Sequence, residues 1–218
     1  MKITIIGAGH IGGNIATQLA AAGHDVTITF SRDPEALRTR ADELGATAAI
    51  DVAAAARTAD VVVLSVPWAA IPTALEQAGP LAGKIVIDTT NQFGPGPKPA
   101  EGQTAAAFNA ARMPGARYAK TFNTLTAAFQ AGTAHREPRV VQWLAGDDDE
   151  AKAVVGGLVR DAGYEPVDIG GAADCRVIEA PRRAGAVYGE EYRPGDAEAV
   201  VEAVRAQKAI PPTPAYPS

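Results

Sequence analysis

A single cysteine, Cys175, among 218 residues excludes an intrachain disulfide and fits a reducing compartment. A basic excess is also missing. The 20 Lys and Arg stand against 25 Asp and Glu, and a net charge of -5 argues against a nucleic-acid partner. No apolar run approaches the roughly 18 residues that span a bilayer, so no membrane segment is expected. The first apolar run is interrupted by Gly7 and Gly9 with no cleavage region after it, which reads as a core strand rather than a signal peptide. A cytoplasmic protein is the expectation. No Ser-His-Asp or Cys-His pattern offers a nucleophile, so no catalytic residue and no metal site are assigned.

What is present begins at residue 2. Lys2 to Ile6 is a β-branched apolar run that reads as a buried strand, followed by Gly7-Ala8-Gly9-His10-Ile11-Gly12, a G-x-G-x-x-G. A helical stretch, Gly13 to Ala20, comes next and stops at Gly23, and Asp25 to Phe30 reads as a second strand. Inside such a βαβ unit the glycines have distinct tasks. Gly7 permits the turn, Gly9 lets a pyrophosphate approach the backbone, and Gly12 lets the helix pack close to the sheet. The N–H groups around His10 and Ile11 then face the anion, with the positive end of the helix dipole behind them. The alternative is an ordinary glycine-rich turn.

The second strand ends in Ser31-Arg32, where an NAD site usually carries a carboxylate for the ribose hydroxyls. A hydroxyl and a guanidinium suit a 2′-phosphate instead, which points to NADP(H) over NAD(H). Asp33, followed by Pro34, reads as the N-cap of the next helix. The competing view is that Ser31-Arg32 is a polar turn.

Strands and helices go on alternating, with strands expected at 46–50, 61–66, 84–88, 117–125, 139–144 and 163–168. Helices are expected at 35–44, 51–57, 70–77, 104–112 and from the Asp147-Asp148-Asp149-Glu150 run to Asp161. That acidic run reads as a helix start, with an Asp-rich metal site as the rival. The pattern implies a Rossmann-type, doubly wound, mostly parallel α/β sheet. The expected division is 1–168 for the nucleotide-binding domain and 169–218 for a small C-terminal helical extension and tail. In that extension 173–180 reads as helical, 196–208 as a surface helix capped by Asp196, and 211–214 as extended. The turn-rich 89–102 segment lies beyond a strand's carboxyl end. It is either a shaped loop over the site or a connector.

Several strings occur in one order: the Gly7–Gly12 loop, Ser31-Arg32, Ser65-Val66-Pro67-Trp68, Lys120-Thr121-Phe122-Asn123-Thr124, Ala145-Gly146-Asp147-Asp148 and Cys175-Arg176-Val177-Ile178-Glu179. Over residues 1 to 180 the chain resembles the NADPH-dependent reductases of coenzyme F-420, a 5-deazaflavin, and the related NADP-binding domains of metalloreductases. The resemblance implies that Val66, Pro67, Trp68 and Asn91 join the cofactor contacts and that the nicotinamide lies beside Pro67-Trp68. Phe122, Asn123 and Thr124 would then border the substrate, and a homodimer is implied. Hydride would pass directly between two stacked rings, with catalysis resting on proximity, orientation and excluded water. The chain departs from the family at Gly170-Gly171-Ala172 and at Pro181-Arg182-Arg183. It also departs at the polar Tyr188 to Tyr192 stretch, where the family continues an apolar helix.

The expected activity is hydride transfer between NADPH and a deazaflavin or flavin-type acceptor, with coenzyme F-420 as co-substrate. Reduction of a small carbonyl or imine, or a non-catalytic NADPH-binding regulator, are the alternatives. Among single residues, Trp68 would line the nicotinamide pocket or fill the core edge, and Lys120 would contact an anion or be solvated. His135 and Arg136 would touch substrate or, the preferred reading, form a surface turn, and Cys175 reads as a buried apolar residue. Arg182 and Arg183 would meet an acidic partner or solvent.

Overall fold

The computed structural model describes residues 1–216. The first half runs β1 (Lys2–Ile6), α1 (His10–Ala21), β2 (Asp25–Thr29), α2 (Pro34–Leu44), β3 (Thr47–Ala48), α3 (Val52–Thr58), β4 (Val61–Leu64), α4 (Ile71–Ala78) and β5 (Ile85–Asp88). The second half runs α5 (Ala105–Ala111), β6 (Arg117–Lys120), α6 (Ala127–Thr133), β7 (Val141–Ala145), α7 (Asp149–Asp161), β8 (Glu165–Gly170) and α8 (Pro194–Arg205). All belong around one eight-stranded sheet in the order β3-β2-β1-β4-β5-β6-β7-β8. Every pairing is parallel except β6 with β7, which meet at Lys120 and Ala145. The fold is the α/β, Rossmann-type, mostly parallel sheet expected, with α8 at its C-terminal end.

The sheet is covered on both faces, which is why its central strands are apolar throughout. Along β4, Val61 and Val63 enter one core cluster while Val62 and Leu64 enter the other. The order reverses at β1, whose neighbours are β2 and β4, so the crevice opens at the carboxyl ends of these two strands.

Most of the expected caps are formed. The Asp33 carboxylate accepts from the Glu35 and Ala36 amides, and Gly45 ends α2 at a φ of 66°. Asp51 caps α3, Thr104 caps α5 and Asp148 caps α7. Arg117 also grips Asp148 through two hydrogen bonds of 2.6 and 2.8 Å, and Asp147 accepts from the Ala172 amide. The acidic run is thus spent on capping and pairing.

Several elements differ from expectation. The 121–125 segment is not strand: the chain turns at Phe122, with φ of 59°, and α6 follows, capped by Thr126. Gln130 of α6 reaches back, its amide donating to the carbonyls of Phe122 and Leu125. The 173–180 helix is a shorter 3-10 turn over Ala172–Val177. Helix α8 begins at Pro194 instead of Asp196, and Asp196 is no cap, since its carboxylate accepts from the Tyr216 hydroxyl. Nor is α8 only a surface helix, because Ala197 and Val200 are buried in the main core.

The boundary at 168/169 falls inside β8, and Cys175, Ile178, Val187 and Tyr192 share a core cluster with β4 and β5. No helix among the described residues is long and apolar enough to cross a membrane.

Candidate functional site

The loop between β1 and α1 is shaped by glycines that no other residue could replace without movement. Gly7 has a φ of 96°, and a Cβ there would lie 2.5 Å from the Ser65 carbonyl oxygen. A Cβ on Gly12 would overlap the Gly7 carbonyl oxygen and approach Ser65 Oγ to 3.1 Å, so α1 is seated directly against the ends of β1 and β4. Gly9 differs: a Cβ there would meet nothing within 4 Å. Its side faces open space.

Helix α1 starts at His10 with no side-chain cap, whereas α2, α3, α5, α6 and α7 each have one. The first-turn amides, His10 and Ile11 included, are therefore left to an external acceptor. The loop just ahead of them borders a cleft of about 470 Å³, lined by Gly7, Gly9, Ser31, Arg32, Val66 and Pro67, while His10, Ile11 and Gly12 are not part of its wall. Six of the residues read from the sequence as cofactor contacts thus line one cavity.

At the far end of the cleft Ser31 Oγ and the Asp33 backbone form a local turn, with Oγ 3.0 Å from the Asp33 carbonyl oxygen. Asp33 is occupied as the α2 cap. Arg32 is exposed and makes no hydrogen bond or ion pair among the described residues. Arg40, missed by the sequence reading, joins this wall. One guanidinium nitrogen bonds Glu43 at 2.9 Å, while the other lies over Gly13, 2.5 Å from where a Cβ would be. Its signal is positional, since it follows Arg32 on the helix that the polar turn begins.

The other expected contacts stand elsewhere. Trp68 does not border the cleft: it is 2% exposed, stacks on Phe108 with centroids 6.0 Å apart, and donates from Nε1 to the Pro97 carbonyl at 2.8 Å. It fills the core and anchors the 89–102 loop at Pro97, and no residue of that loop borders the cleft. Phe122 is likewise a core residue, packed edge-on against Tyr164 at 6.1 Å, because its left-handed turn sends the ring inward.

Asn91 and Asn123 form a clasp. Asn91 Nδ2 donates to the Asn123 carbonyl at 2.7 Å, and Asn123 Nδ2 donates to the Ile178 carbonyl at 2.7 Å. The Ala180 amide returns to Asn91 Oδ1 at 3.2 Å, so the C-terminal segment is fastened to the carboxyl ends of β5 and β6. Thr124 takes the Gly189 amide on its carbonyl at 2.8 Å and leaves its own buried Oγ1 without a partner among the described residues.

Beside the clasp lies a polar network the sequence did not reveal. Asp88 and Lys120, in register on adjacent strands, are both 0% exposed and 3.4 Å apart. Lys120 Nζ also donates to the Thr90 carbonyl at 2.6 Å. Asp88 accepts from the Tyr118 hydroxyl at 2.6 Å, Asn109 at 2.9 Å and the Thr90 amide at 2.7 Å. Burial pushes the Asp88 carboxyl up, but the Lys120 ammonium and these hydrogen bonds outweigh it, so Asp88 titrates below the usual carboxylate range. The Tyr118 phenol is held well above its ordinary value, by burial first and by Asp88 next. Lys120 is neither solvated nor a ligand hand. It fixes the Thr90 carbonyl, next to Asn91.

The remaining candidates are engaged within the chain. Arg182 pairs with Glu190, Arg183 donates to the carbonyls of Arg176, Glu179 and Pro181, and His135 meets Gln18 at 3.0 Å. Cys175 is buried, and burial pushes its thiol up.

Comparison with known proteins adds the following. The family model described as "NADP oxidoreductase coenzyme F420-dependent" matches residues 2–92. The rat (Rattus norvegicus) protein Metalloreductase STEAP3 is 30% identical over 184 residues, 82% of this chain and 36% of that protein, so the chain spans about a third of this curated relative's length. A solved structure from Arthrobacter sp. FB24, named as a candidate F420-dependent NADP-reductase, is 31% identical with a TM-score of 0.67, covering 81% of this chain and 87% of that one. A hypothetical protein from Sinorhizobium meliloti is 30% identical with a TM-score of 0.78, covering 88% of this chain and 95% of that one.

Proposed function

Because the chain belongs to the coenzyme F-420-dependent NADP oxidoreductase family, we propose that it binds NADP(H) and exchanges hydride with a deazaflavin or flavin-type ring. The residues fit such a dinucleotide. The open side of Gly9 and the uncapped first turn of α1 would receive the pyrophosphate. Ser31, Arg32 and Arg40 would receive the 2′-phosphate, and Val66 and Pro67 would border the strand-end side of the cleft. The nicotinamide supplies the hydride chemistry when bound.

The chain's own contribution is to position and to exclude water. Lys120 and Asp88 lock the Thr90 backbone, and the Asn91–Asn123 clasp then holds the 178–180 segment across the strand ends.

The observation that carries the nucleotide reading is the unpaired Arg32 guanidinium beside an Asp33 already committed to capping. Titration with NADPH and NADH tests it. Arg32→Ala is expected to weaken NADPH about 10- to 100-fold, the loss of a charged hydrogen-bonded pair, and to leave NADH unchanged. Equal weakening of both cofactors would contradict the 2′-phosphate assignment.

A further inference from the structure

Phe93 stands in the loop after β5, two residues beyond Asn91, and is 57% exposed. Tyr188 comes from the C-terminal segment, directly before Gly189, whose amide is bound by the Thr124 carbonyl beyond β6. The two rings meet with centroids 6.2 Å apart and planes tilted by 59°. They therefore bridge the same two segments as the Asn91–Asn123 clasp, at the carboxyl ends where open α/β sheets take their ligands. An exposed aromatic ring alone says little, but this one is braced by a second ring and its loop is pinned by Trp68 through Pro97.

A planar ligand between two stacked rings needs about 7 Å of parallel spacing, two carbon contacts of about 3.5 Å each. The tilted 6.2 Å pair leaves no such slot, so Phe93 offers its exposed side while Tyr188 packs against it at a 59° tilt.

Resting on the hydride-transfer reading, we infer that Phe93, braced by Tyr188, is the stacking platform for the acceptor, which is a planar fused heteroaromatic of the flavin or deazaflavin kind. The polar 188–192 stretch then needs no apolar helix to hold such a ring, because the loop after β5 supplies the flat surface. Phe93 is a positioning residue, and no bond to it forms or breaks.

The test measures binding of oxidised coenzyme F-420 and of FMN by fluorescence quenching, without turnover, and NADPH binding in parallel. Phe93→Ala is expected to raise the Kd of the bound ring about tenfold, the effect of deleting one stacking partner of a base-sized ring. Phe93→Trp should restore binding, Tyr188→Phe should have little effect, and NADPH affinity should not move. Unchanged ring affinity in Phe93→Ala would overturn the platform while leaving the hydride-transfer reading intact if the wild type still bleaches F-420. Failure of the wild type to bind either ring would overturn the platform. Ring binding that depends on Phe93 without any bleaching by NADPH would instead sustain the platform and sink the hydride-transfer reading.

Discussion

Lys120→Met is expected to lower the stability of the protein by about 3–5 kcal/mol at pH 7, the cost of leaving a buried carboxylate without its counter-charge. Asp88 is fully buried and its depressed titration depends on Lys120 together with Asn109, Tyr118 and the Thr90 amide. In the wild-type protein that depressed carboxyl contributes stability present above its unfolded value of about 4, lost only as pH falls through the lower folded value. Without the ammonium, burial dominates and the folded value rises above the unfolded one. The sign then reverses: protonating Asp88 relieves the variant, so its deficit shrinks as pH falls from 7 towards 4.5. Urea unfolding at both pH values reads this directly. An equal deficit at the two would mean that lost packing, and not an unpaired charge, is responsible. The Lys120 ammonium also holds the Thr90 carbonyl beside Asn91, so the variant should loosen the clasp on the 178–180 segment as well.

Gly9→Ala and Gly12→Ala are expected to fail in opposite ways. At Gly12 the new Cβ runs into the Gly7 carbonyl oxygen, which is backbone and cannot rotate aside, so α1 must lift from the sheet. Overpacking of this kind costs about 1–3 kcal/mol, and the phosphate loop is displaced with the helix. Stability and NADPH affinity should fall together. At Gly9 a Cβ meets nothing within 4 Å, and the backbone at φ -66° and ψ -159° suits an L residue. Thermal stability should therefore hold in Gly9→Ala while NADPH binding weakens tenfold or more, because the methyl occupies the space a pyrophosphate would enter. Full NADPH affinity in Gly9→Ala would contradict the placement of the pyrophosphate.

The contrast marks what one-dimensional reading can reach. The βαβ unit was legible because its signals are local. Gly7 needs a positive φ, Asp33 precedes Pro34, and Gly45 closes a helix. Helix α6 escaped because its seven residues are too few for a periodic signal and depend on Gln130 binding two carbonyls across the turn. Trp68 and Lys120 were open questions in the sequence because their fate is set by neighbours far along the chain. Trp68 meets Phe108 and Pro97, and Lys120 meets Asp88 only once β5 and β6 pair in register. A carboxylate closing an otherwise apolar strand and a lysine closing the next were the available signs of that pair. The Phe93–Tyr188 bracket joins two segments that share no local pattern, so only the fold brings it to view.

The most direct test of hydride transfer is anaerobic mixing of the purified protein with NADPH and oxidised coenzyme F-420, following loss of the deazaflavin absorbance, with NADH in parallel. The account predicts bleaching with NADPH and far slower bleaching with NADH. Absence of bleaching in a protein that binds NADPH would contradict the ring acceptor, and equal rates with NADH would contradict recognition of the 2′-phosphate by Ser31, Arg32 and Arg40.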